Sequence, residues 1–320
     1  MSNHVSETGA RRCLERFCYM SAKKNVFSKI HKKLGLGWIL ASLLVIVFVI
    51  VSFTFWYTRP IEEPIPDTDT IPDFITFGDR TIPVAKGVEL NSYDADSFRF
   101  ENGFMIYDSP DVKTFRGIDV SSHQDVIDWH AVKASGIDFA MIRAGFRGYT
   151  AGKINMDSRF IANINYAEAA GVDVGIYFFS QALTVDEARE EAEILLKWIR
   201  GYDVTYPVVF DWEHSPFDGS RTKDTAGDII TACAVEFCNT VYQAGYTPMV
   251  YFNQDLGYNY YGPEGLEAIS AYDFWLAEYN AAPSFFYNFQ ILQYTSKGSV
   301  PGISGDVDLN ICFVDYKAQN

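Results

Sequence analysis

The sequence is short of positive charge and of cysteine. Lys and Arg number 26 against 41 Asp and Glu, for a net charge of −15, and eight of the basic residues fall in the first 35 positions (Arg11, Arg12, Arg16, Lys23, Lys24, Lys29, Lys32, Lys33), opposed there by Glu7 and Glu15 alone. That tail is +6, which leaves −21 for the remainder. So acidic a body is not built to hold a phosphate backbone, which excludes nucleic acid as its partner. The cysteines are Cys13, Cys18, Cys233, Cys238 and Cys312, with no CxxC or Cys/His spacing to suggest zinc. Cys233 and Cys238, five apart on a predicted helix, point to different faces, so buried thiols are expected rather than a disulfide. No internal repeat is present.

Charge of either sign is absent between Lys33 and Arg59. The run LGLGWILASLLVIVFVIVSFTFWYT can cross a hydrocarbon layer of about 30 Å at about 1.5 Å per helical residue, so Leu36 to Tyr57 is expected to be a transmembrane helix. Trp38, Trp56 and Tyr57 suit the two interfaces, and the basic residues ahead of the run place 1–35 in the cytoplasm and the rest outside the cell membrane. A cleaved signal peptide is the competing reading, but SFTFWYTRP is a poor small-residue cleavage site. Next comes RPIEEPIPDTDTIPD, with four prolines and five acids. Such a chain is extended and stiff at about 3 Å per residue, and 58–73 is read as a spacer. Residues 74–114 hold short strand-like pieces with Glu101-Asn102-Gly103 as a hairpin turn, and are expected to form a small β subregion.

From Phe115 the pattern alternates. Strands are predicted at 115–121, 138–146, 173–181, 206–213, 247–254, 273–280, 289–295 and 306–312. The clearest helix is 185–200, where Thr184 and Glu187 suit a capping box and Ala188, Ala192, Leu195, Leu196 and Ile199 form one stripe. Repeated strand–helix units argue for a parallel sheet, so the fold class is α/β, most economically a (β/α) barrel over 115–320. Short later connections make that barrel irregular.

Reactive groups in such a barrel gather at the carboxyl ends of the strands. Three predicted strands carry acids taken to lie there: Asp119 in GIDVS, Asp211 and Glu213 in VVFDWE, and Asp308 in GDVDLN. Residues i and i+2 of a strand face one side, about 6 to 7 Å apart at the backbone, so Asp211 and Glu213 share a cleft. A like-charged neighbour and aromatic walls raise a carboxyl pKa, as a general acid near neutral pH requires. Two such carboxyls suit cleavage of a glycosidic bond. Helix capping, or pairing with Arg143, Arg147 or Lys223, accounts for any one acid better than for all four. Asp119, His123, Asp211, Glu213, His214 and Asp308 also offer metal ligands, although nothing in their spacing selects a metal site.

The segments GIDVSSHQDVIDW, FAMIRAGF, GIYFFSQA, VVFDWE, WLAEYN and LQYTSKGSVPGISGDVDLN, in order from about Gly117 to Asn310, resemble glycoside hydrolase family 25, the muramidases (lysozymes) that cut bacterial peptidoglycan. The resemblance implies Glu213 as proton donor and Asp211 as its partner, with Asp119 and Asp308 completing the acidic cluster. It favours retention with participation of the substrate's 2-acetamido group, although the backbone spacing lies between the retaining and inverting ranges. Tyr177, Phe179, Tyr251, Trp275 and Tyr279 are candidates for sugar stacking, or equally for barrel core. Arg143 could meet a muramyl lactyl or peptide carboxylate, or pair with the acids. Two positions depart from the family pattern: Asp125, where glycine is usual, and Trp212, where a small aliphatic residue is common. DWE is also similar to family 18 chitinases, but Tyr206, Pro207 and Val209 stand where that motif has acids or glycine. The expected protein is thus a membrane-anchored enzyme, without a cofactor, acting on peptidoglycan glycan strands at the bond between N-acetylmuramic acid and N-acetylglucosamine. A noncatalytic glycan-binding scaffold and a metal-dependent hydrolase are the alternatives.

Overall fold

The computed structural model of the chain describes residues 71–215 and 217–319. The predicted cytoplasmic tail, transmembrane helix and most of the spacer lie outside the described residues. Among those described, no helix is long and apolar enough to cross a membrane.

Two hairpins come first. β1 (Phe74–Phe77) pairs antiparallel with β2 (Arg80–Pro83), and β3 (Phe98–Glu101) with β4 (Phe104–Tyr107). Asn102 and Gly103, at φ 52° and 85°, make the two-residue turn that right-twisted strands favour.

The barrel follows, from β5 (Phe115–Val120), β6 (Phe139–Arg147) with its short edge partner β7 (Ile154–Met156), β8 (Asp173–Ser180), β9 (Val204–Trp212), β10 (Pro248–Asn253), β11 (Asp273–Ala277), β12 (Ile291–Gly298) and β13 (Val307–Cys312). Neighbours from β5 through β12 in the ring run parallel. β13 closes the ring antiparallel to both β12 and β5. The expected irregularity is therefore one reversed strand among eight.

Outer helices α1 (Trp129–Ala134), α2 (Phe160–Ala170), α3 (Val185–Ile199), α4 (Gly227–Gln243) and α5 (Gly262–Ile269) occupy the earlier connections, and none separates β11, β12 and β13. At the start of α3, Thr184 Oγ1 accepts from the Glu187 N–H as expected, but the Glu187 carboxylate turns to the Leu183 N–H at 2.8 Å. The capping box is thus only half formed. Cys233 and Cys238 on α4 are buried in the apolar core.

The hairpins cover the flank that lacks helices. Tyr93 stacks on Phe313 at 4.1 Å and packs on Phe289, while Phe98 and Tyr107 complete the cluster. Phe100 meets Tyr294, and Arg116 lies over the Phe104 ring. The Ala85 N–H donates to the Tyr287 hydroxyl at 2.7 Å. The β subregion read from the sequence is thus packed into the barrel's outer layer.

Inside the barrel, the alternation of side chains along each strand builds the floor. Phe139, Met141, Tyr206, Val209, Met249, Ile291 and Cys312 form one inner cluster, with Phe139 stacked on Tyr206 at 4.3 Å. A Cβ at Gly117 would come within 2.1 Å of the Phe139 ring, so a glycine on β5 is what lets that ring cross the interior.

Candidate active site

Above the floor, the same inward positions become polar. Two residues on from Val209 comes Asp211, and two further on Glu213, one residue beyond the end of β9. In register, Asp211 lies between Phe179 of β8 and Tyr251 of β10. Asp308 is the cross-strand partner of Asp119. All four acids line a cleft of about 320 Å³, together with Arg143, Tyr177, Phe179, Tyr251, Trp275 and Tyr279. Every site residue picked from the sequence therefore reaches one cavity.

The sequence geometry for Asp308 needs correction. Asp308 is the second residue of β13, not at a carboxyl end. It reaches the same rim because β13 runs against β5.

A polar network missed in the sequence immobilises Asp119. Its Oδ2 accepts from Gln293 Nε2 at 2.9 Å and Asn310 Nδ2 at 2.8 Å. The other end of each amide is also occupied: Gln293 Oε1 accepts from the hydroxyls of Tyr279 (2.7 Å) and Tyr251 (3.2 Å), and Asn310 Oδ1 from Trp275 Nε1 (2.8 Å). Neither amide can turn over without losing bonds at both ends, so the carboxylate is held in one orientation. Both residues stand at inward strand positions, Asn310 two beyond Asp308, and that periodicity was the available signal.

Burial dominates the electrostatics. It pushes Asp119 well above the usual carboxyl range, with Asp308 and Glu213 adding to the effect and the Asn310 and Gln293 bonds opposing it. Asp211 is raised by burial, then by Glu213 and Asp119, against the pull of Arg143. Glu213 is raised by burial and then by Asp308. Asp308 is pushed up to about 6, again by burial. The cluster keeps protons where isolated carboxyls would be ionised.

Among the described residues, none of the four forms an ion pair. Arg147 is engaged with Glu191 and Glu190, and Lys223 with Asp218. Arg143 holds Asp157, whose side chain is fully buried, through Nε and Nη2, and also donates to Ser122 Oγ. It therefore pairs with Asp157 and not with the cluster, although it lines the cleft. Nothing in the local sequence marked Asp157. Tyr149, also on the cleft wall and edge-on to Phe179, was missed for the same reason.

The two departures from the family pattern have local explanations. Asp125 sits at φ 53°, ψ −122°, backbone that glycine adopts without strain, and its carboxylate pairs with Arg159. Trp212 faces away from the cleft, fully buried, with Nε1 donating to the Ala182 carbonyl at 3.3 Å. His214 turns to Tyr260, ring centroids 4.0 Å apart, and does not line the cleft as His123 does. No three His, Cys, Asp or Glu among the described residues are arranged to hold a metal ion.

Residues 118–303, more than half of the chain, match the sequence profile of Glycosyl hydrolases family 25. The chain belongs to this family. It is a glycoside hydrolase of the muramidase class. The family 25 chain is 31% identical to Lysozyme M1 of Streptomyces globisporus, with 62% of this chain and 68% of the relative covered. It is 28% identical to the Autolytic lysozyme of Clostridium acetobutylicum, covering 61% of this chain and 55% of that one. Its fold matches that of the modular autolysin LytC from Streptococcus pneumoniae, solved in complex with a synthetic peptidoglycan ligand, at a TM-score of 0.56 and 20% identity over 75% of this chain and 57% of the other. The family 25 chain thus spans little more than half the length of the last two. Its N-terminal hairpins lie ahead of the matched family segment.

Proposed function

We propose that this family 25 enzyme is a membrane-anchored muramidase that hydrolyses the β-1,4 bond between N-acetylmuramic acid and N-acetylglucosamine in peptidoglycan. One observation carries the reading: Asp211 near the end of β9 and Glu213 one residue past it line the same aromatic cleft, and Asp211 Oδ1 is buried there with no hydrogen-bond partner among the described residues. An unpartnered buried acceptor calls for a donor from the substrate. The acetamido N–H of the muramyl residue suits it.

In this mechanism Glu213, kept protonated by burial and Asp308, gives its proton to the glycosidic oxygen as the C–O bond breaks. Asp211 accepts the acetamido N–H and turns the acetamido oxygen onto the anomeric carbon, closing an oxazolinium ring. Water then attacks that carbon, the now ionised Glu213 takes its proton, and the ring opens with net retention. Asp308, which ionises as pH rises through about 6, supplies negative field for the developing positive charge, and Asp119 is fixed beside it by its amides. Arg143 Nη1, which has no hydrogen bond among the described residues, is free to meet a lactyl or peptide carboxylate.

The proposed layout is a cytoplasmic tail at 1–35, an anchor at 36–57, a spacer at 58–73, the hairpin region at 74–114 and the catalytic domain from 115. Sequence patterning supports the anchor. An acidic domain does not adsorb to anionic wall polymers, and a tether keeps it beside its substrate. The test is digestion of purified peptidoglycan with the full chain, borohydride reduction and mass spectrometry of the new ends. Reduced muramic acid, absent with Glu213→Gln, is the expected product. Intact glycan would instead favour a binding scaffold.

A further inference from the structure

Glu213 stands one residue past β9, where the strand ladder no longer holds the chain, and the segment that follows exposes Phe217 to 58%. Its depth in the cleft must be set by something else. Gln181, fully buried just after β8, uses both ends of its side-chain amide on this segment. Nε2 donates to the Glu213 carbonyl at 3.3 Å and to the Ser180 carbonyl at 2.9 Å. Oε1 accepts from Thr222 Oγ1 at 2.5 Å and Ser220 Oγ at 3.4 Å. Both ends of the stretch 213–222 are thereby fastened to one amide.

The support behind Gln181 is rigid. Ser180 Oγ donates to the buried Glu191 at 2.6 Å, and the Ala182 carbonyl accepts from Trp212 Nε1. The orientation of the amide is dictated as well, because two carbonyl oxygens on one side need N–H donors.

We infer that Gln181 is a positioning residue for the proton donor, holding the Glu213 backbone at the depth where its carboxyl reaches the leaving oxygen. This rests on the proposed role of Glu213. In the bond-breaking step a misplaced acid costs rate only when the leaving group needs a proton, so the defect in kcat/KM, which reports that step, should depend on the leaving group. A general loss of packing would not discriminate.

The experiment compares the full chain with Gln181→Leu and with the double variant Ser220→Ala/Thr222→Val. Two substrates are used: a peptidoglycan-derived oligosaccharide, whose leaving oxygen is a sugar hydroxyl, and a dinitrophenyl glycoside of the muramyl disaccharide, whose leaving phenolate needs no protonation. The expected result is kcat/KM lower by about 10- to 100-fold on the oligosaccharide, with KM within about twofold and kcat/KM on the aryl glycoside within about threefold. Equal losses on both substrates, or none on either, would overturn the inference. If Gln181→Leu does not fold, the double variant, which removes both donors to Gln181 Oε1 and so frees the amide to swing away from the Glu213 carbonyl, decides by the same criteria. A wild-type chain that leaves the oligosaccharide intact would instead sink the muramidase reading, so the two failures are distinguishable.

Discussion

Asp119 and Asp308 are cross-strand partners on β5 and β13, two strands that run in opposite directions. Reversal of the last strand puts its second residue on the rim where the other strands end. Two carboxyls that a uniformly parallel barrel would place at opposite ends are thus neighbours, and each raises the cost of ionising the cluster.

Burial of Asp308 predicts a pH dependence of stability. The Asp308 carboxyl is raised from its usual value to about 6 in the fold, so between those limits the folded state binds more protons than the unfolded one. Stability contributed by this group is therefore present at low pH and lost as pH rises through about 6. Asp308→Asn should flatten the curve and gain on the order of 1 kcal/mol at pH 7. Denaturant midpoints at pH 4.5 and 7 check this; a variant with an unchanged slope would contradict it.

Glu213→Gln should lower glycan cleavage by about 10²- to 10⁴-fold while leaving the melting temperature unchanged or raised, since a buried repelling carboxyl is replaced by an isostere. Turnover of reduced-end products and a thermal melt are the measurements. Retained activity would remove Glu213 from the role of donor.

Asn310→Leu removes one donor from Asp119 and orphans the Trp275 N–H. A loss of about 1 to 3 kcal/mol is expected. Activity should fall beyond what unfolding explains, because the Asp119 carboxylate is freed to rotate. Urea unfolding together with kcat on the folded protein separates the two effects.

Asp125→Gly should stabilise. The positive φ and extended-negative ψ at this position cost a non-glycine residue about 1 to 3 kcal/mol, whereas the exposed Arg159 pair that would be lost contributes about 0 to 1 kcal/mol. A higher melting temperature is the expected outcome, and a lower one would show that the ion pair outweighs the strain.

A chain beginning at Phe115 should be insoluble or unfolded. Without 71–114, Phe289, Tyr294 and Phe313 lose their aromatic cover on a flank that has no helix. Equal solubility and melting temperature for chains starting at 68 and at 115 would refute this.

Much of the barrel was legible in the one-dimensional pattern because local physics carries it. Eight apolar runs bounded by turn residues gave strands close to those observed, and the stripe on α3 and the Asn102-Gly103 turn formed where spacing and backbone preference put them. The period of two along β9 brings Asp211 to the cleft, and Glu213, one residue past the strand, reaches the same side. By itself the sequence determined which residues face inward along each strand, since that depends only on the alternation of side chains. Tertiary structure alone decided that β13 is reversed, that Gln293 and Asn310 converge on Asp119, that Arg143 spends its charge on Asp157, and that Gln181 reaches the far side of the loop beyond β9. Those relationships join residues up to 191 positions apart, and the closing of a ring, not any local preference, sets which of them meet.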